Sequence, residues 1–163
     1  MEDIAPRTVS EREADARFLW WLFNLIGVVF TAMGLVNIAI AWYPIRLGTP
    51  EWEFGAIAAF LDATPSFMLG LTLLLASALA QGKRGRSWVV VAVILLLMLI
   101  VLAGGVLYAT TAPVALSHVS SGGALAAVKK ALGKAGVQII VLPVGLLWLG
   151  IVGWRGSSRG LTR

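Results

Sequence analysis

Long apolar runs alternate with short polar breaks along the whole chain. Lys, Arg, Asp and Glu are absent from residues 18–45, 63–82, 87–128 and 135–154. About 20 apolar residues, rising roughly 1.5 Å each, cross a hydrocarbon core of roughly 30 Å, so each run is long enough to span a membrane as a helix. The pattern predicts an all-α integral membrane protein. Its four transmembrane helices fall at about 18–43, 65–81, 88–110 and 136–154. They form one membrane domain over 18–154, preceded by the segment 1–17 and followed by a basic tail, 155–163.

The breaks carry start and stop signals. Ser10 and Glu13 are spaced as a capping box, which predicts a helix running without interruption into the first span. Trp20 and Trp21 mark one interface and Trp42 with Tyr43 the other, at a separation of about 22 residues or roughly 33 Å of helix. Pro44 ends that helix. Thr49 and Pro50, followed by Glu51 and Glu53, form a second start signal, with acids in the positive first turn. Phe54, Ile57 and Leu61 recur at helical spacing, but the stretch is too short and too charged to span. The expectation is therefore a separate interfacial helix over about 50–62, with Trp52 at headgroup level.

Thr64 and Pro65 repeat the start signal for a short second span, and residues 81–87 make a basic turn into the third. Residues 112–123 read as a loop, and Pro143 predicts a kink in the last span.

Composition fits this picture. The chain is 59% hydrophobic and 13% charged, with a mean hydropathy of +0.89, whereas soluble domains are nearer a quarter charged. The net charge of +5 sits at the span ends, which points to membrane orientation and not to nucleic acid. The segment before the first span, the 81–87 turn and the tail carry nine basic residues on one side, against Arg46, Lys129, Lys130 and Lys134 on the other. Both termini are thereby predicted to be cytoplasmic, in a bacterial inner membrane. The acids before the first span and the length of its apolar run argue against a cleaved signal peptide.

Candidate chemistry is sparse. The absence of cysteine excludes thiol redox, disulfide relay and thiolate metal sites. No ionisable group near neutral pH lies in the spans, where such groups mark relays and pumps. Asn24, Gly27, Thr31 and Gly34 fall at 3-4-3 spacing with Asn37 or Ala41 next, a small and polar stripe suited to close helix packing and interhelical hydrogen bonds.

Glu51 and Glu53, flanking Trp52, are explained by their place at a helix start and offer an extramembrane contact. Gln138 and Trp148 lie inside the last span, the tryptophan placed to pack against a helix, lipid or cofactor. His118, the one histidine, falls in the predicted loop. No nucleotide, zinc or hydrolase motif occurs, so no cofactor and no metal are predicted, and bound lipid is.

Thr49-Pro50-Glu51-Trp52-Glu53-Phe54 with Phe60-Leu61-Asp62 and Leu69-Gly70-Leu71, together with Val128-Lys129-Lys130-Ala131-Leu132, resembles the HpsJ-like membrane proteins, a cyanobacterial family. The resemblance covers less than half of the chain and implies a four-span architecture without fixing an activity. The sequence favours a non-catalytic accessory or structural subunit of a larger membrane complex, such as a photosynthetic or respiratory one, whose partners are other integral membrane proteins and lipids. The alternatives are a small transporter or lipid-processing protein using Asn24, Asn37 and Gln138, and a component of a cell-surface polysaccharide pathway.

Overall fold

The computed structural model describes residues 9–46, 48–117 and 122–158. Within the helices, the side chains of Ser10 and Glu51, among others, lie outside the description. Four helices make up the described fold: α1 (Val9–Trp42), α2 (Pro50–Ala80), α3 (Arg84–Ser117) and α4 (Gly122–Ser158). Each contains a stretch long and apolar enough to cross a membrane.

The expected separate interfacial helix over 50–62 is not seen, because α2 runs from Pro50 through Pro65 to Ala80 without a break. Pro65 has no N–H to offer the Leu61 carbonyl. The Thr64 hydroxyl turns back to the Phe60 carbonyl at 2.9 Å and does not cap a new helix. Ala56, Phe60, Ala63 and Phe67 are all buried along this stretch, and Leu61 and Thr64 are fully enclosed. Burial of one continuous face across the proline overrides the local start signal. Similarly, α3 continues through Pro113 to Ser117, past the expected loop start at Ala112, and α4 is helical from Gly122 across Pro143. The remainder of the expected loop, His118–Ser121, lies outside the described residues.

The turn between α2 and α3 is three residues long and is set by Gly82 at φ +64°. The Lys83 amide donates to the Ala78 carbonyl at 3.0 Å and the Gly82 amide to Leu79 at 3.1 Å. These two bonds satisfy orphan carbonyls at the helix end in a Schellman motif, which favours glycine at the left-handed position. At the start of α2, the Glu53 carboxylate accepts from the Gly48 amide at 3.0 Å and closes the preceding turn.

Among the described residues, α2 packs on all three other helices, α3 and α4 pack on each other, and α1 packs on α2 alone. Leu61, Ile94, Val101 and Leu146 are fully enclosed at the centre of the α2–α3–α4 bundle. Where α3 meets α4, the buried Ser157 hydroxyl lies 2.8 Å from the buried Ser87 hydroxyl. Trp88 and Trp154 meet edge to face at 5.0 Å at the same end.

The α1–α2 seam is built from small residues. A Cβ added at Gly70 would sit 2.7 Å from the Gly27 carbonyl oxygen and 2.9 Å from the Thr31 amide nitrogen. One added at Gly34 would sit 2.9 Å from the Phe67 ring. Backbone approach of this kind gives dispersion contacts in lipid, where no hydrophobic drive brings helices together. Replacing Gly70 by Val is expected to destabilise the fold by about 2–3 kcal/mol and to detach α1, since overpacking here meets backbone and not flexible side chains. Thermal unfolding in detergent and protease sensitivity of the 43–49 connection measure this; an unchanged melting temperature would rule out the tight seam.

Candidate functional site

The polar residues of α1 divide between the seam and the outer face. Gly27 and Gly34 are buried against α2, and the Thr31 hydroxyl returns to the Gly27 carbonyl at 2.8 Å. The Asn24 amide nitrogen donates to the Trp20 carbonyl at 2.9 Å, which also accepts the Ser77 hydroxyl from α2 at 3.3 Å. Asn24 Oδ1 is buried and has no partner among the described residues.

Asn37 departs from this stripe. It is exposed, in company with Met33, Val36 and Ile40, and its amide has no partner among the described residues. Ala41 is exposed as well, and Ile38 is the neighbour that packs toward the core. At 100° per residue, the line through Gly27, Thr31 and Gly34 continues to position 38, leaving Asn37 to one side.

At the Trp42 end, an apolar groove of ≈ 330 Å³ opens between the end of α1 and α3, floored by α2. Trp52 and Glu53 sit at its rim, with Trp42, Phe60 and Gly104 among its walls. The Trp42 indole N–H donates to the Ala56 carbonyl at 3.1 Å and fixes the end of α1 to α2. Glu51 lies in the same first turn by backbone, and its side chain is outside those described. The acids are therefore divided: Glu53 serves the turn, and Asp62 lies about two and a half turns further along α2.

Asp62 pairs with α4. Lys134 Nζ lies 2.8 Å from its carboxylate and the Gln138 amide donates to the same oxygen at 3.1 Å. Gln138 thus ties two helices together, a partnership that spacing within α4 does not reveal. Trp148 is 64% exposed on the lateral surface of α4, so in a membrane its ring meets lipid or a partner.

Chemically, the arrangement offers surfaces. Among the described residues no three His, Asp or Glu side chains come together to hold a metal ion. Charge is segregated: Asp62 is neutralised by Lys134, whereas Arg17, Lys83, Arg84, Arg86 and Arg155 at the opposite end have no carboxylate partner among the described residues. Compared with known protein families, with characterised proteins and with solved structures, the chain matches none.

Both members of the Asp62–Lys134 pair are at least half exposed, so its coupling is small. A double-mutant cycle of Asp62→Ala and Lys134→Ala is expected to give about 0.5 kcal/mol, falling with added salt. A coupling above about 2 kcal/mol would mean that the pair is desolvated in the assembled protein.

Proposed function

We propose that this protein is a non-catalytic accessory subunit of a larger integral membrane assembly, binding other membrane proteins and lipid through lateral helix faces. One observation carries this reading. Among the described residues, Asn37 presents an amide without a partner on the apolar outer face of α1, and that helix packs on α2 alone. A polar group facing hydrocarbon without a partner costs several kcal/mol, and a neighbouring helix carrying a donor or acceptor removes that cost. Interhelical bonds of this kind contribute roughly 0.6–2 kcal/mol each. The exposed Trp148 and the groove rim at Trp52 and Glu53 extend the available surface around the bundle. The membrane of this reading is the bacterial inner membrane, with both termini cytoplasmic, as the Lys and Arg residues gathered at that end of the bundle favour.

Native mass measurement after mild detergent extraction is expected to find the chain bound to a larger membrane assembly. Asn37→Leu is expected to release it while shifting the isolated chain's stability by less than about 0.5 kcal/mol, because no internal contact is lost. Recovery of wild-type protein as a bare monomer would overturn the proposal.

Orientation is tested by two cysteines placed in a chain that has none. A Cβ at Gly85 or at Gly133 meets open space. Gly133→Cys is expected to react with a membrane-impermeant maleimide on intact spheroplasts, and Gly85→Cys only after permeabilisation. The reverse result would invert the topology.

A further inference from the structure

At the basic end, a second cavity of ≈ 240 Å³ lies between α1 and the α2–α3 turn, lined by Arg17, Trp20, Trp21, Asn24, Gln81 and Lys83. It differs from the groove at the other end in being polar as well as apolar. Two cations face it from separate elements, and neither has a carboxylate within ion-pair distance among the described residues. The Arg17 Nε donates to the Glu13 carbonyl at 3.4 Å, and the terminal guanidinium nitrogens have no acceptor among the described residues. Lys83 is placed by the backbone bonds of the Gly82 turn, and its ammonium has no partner among the described residues.

Gln81 donates its amide N–H to the Ser77 hydroxyl at 2.7 Å, and its carbonyl oxygen has no donor among the described residues. Trp21 is largely exposed and Trp20 half-buried, apolar walls ending at the level where the charges begin. Such rings settle at the boundary between headgroups and acyl chains.

We infer that this cavity binds an anionic phosphodiester bearing a free hydroxyl, the chemistry of a phosphatidylglycerol headgroup. Arg17 and Lys83 hold the phosphate oxygens, Gln81 Oε1 accepts from a headgroup hydroxyl, and Trp20 and Trp21 cover the glycerol and first acyl carbons. Two neighbouring cations select against the ammonium of phosphatidylethanolamine and the choline of phosphatidylcholine by like-charge repulsion. The inference needs only that the helices span a membrane, so it stands or falls independently of the accessory role.

The 163-residue chain, reconstituted in nanodiscs of equal phosphatidylglycerol and phosphatidylcholine and then released into detergent, reports retained lipid by native mass spectrometry. Phosphatidylglycerol is expected to be retained about tenfold over phosphatidylcholine, as two cations near an anionic headgroup allow. Arg17→Gln with Lys83→Gln should abolish the preference, and Arg155→Gln, on α4 and outside the cavity, should leave it intact. Both altered side chains are exposed, and the melting temperature of the double variant controls for folding. Gln81→Leu should lower retention of phosphatidylglycerol more than that of phosphatidic acid, which has no headgroup hydroxyl beyond its phosphate.

An equal loss in Arg155→Gln would replace a built site by diffuse surface attraction and overturn the inference. Displacement of the lipid by millimolar inorganic phosphate would assign the cavity to free phosphate and overturn it too.

Discussion

In a hydrocarbon layer no water is present to pair with backbone N–H and C=O groups, so each must be satisfied by the chain itself. Four unbroken helices of this length and apolarity meet that constraint, and the one backbone bond lost at Pro65 is offset by burial of a continuous face of α2. Side-chain hydroxyls obey it as well: Thr31, Thr64, Thr72 and Ser157 each return a bond to the carbonyl four residues earlier. A hydroxyl committed in this way costs little in lipid and leaves its helix free to pack by shape. Shape then decides the neighbours. Glycines admit α1 to α2, and a ladder of Leu, Ile and Val closes α2, α3 and α4 around one another.

The resulting bundle is lopsided. Three helices share a core, and the fourth is attached along a single seam with most of its large side chains turned outward. Polarity is lopsided too. One end carries a neutralised Asp62–Lys134 pair, the other a set of cations without carboxylate partners among the described residues. In a bilayer the outward face of α1 would meet acyl chains and the basic end anionic headgroups.

Much of this was legible in the chain. The charge-free runs locate the four apolar helices, and Gly82 in a basic break marks a tight turn. The spacing of Gly27, Thr31 and Gly34 marks a face, which the structure sets against α2. Two features escaped the local signals. Thr64-Pro65 has every mark of a helix start, yet burial on both sides of it holds one helix together. The stripe is expected to go on to Asn37 or Ala41, but at 100° per residue the step of four after 3-4-3 leads to Ile38, which packs toward the core. The approach of Gln138 and Lys134 to Asp62, and of Arg17 to Lys83, joins residues more than sixty positions apart. Periodicity within one helix carries no information about such pairs.

The unbroken α2 has a mechanical consequence. Its 31 residues make a rod of about 46 Å, well beyond a hydrocarbon core of roughly 30 Å. A rod longer than its layer tilts as the layer thins, and every other helix of the bundle leans on this one. In a bilayer, thickness would therefore set the tilt of the bundle. In such a layer the groove walled by Phe60 and the basic cavity lined by Gln81, at opposite ends of α2, would share that one tilt.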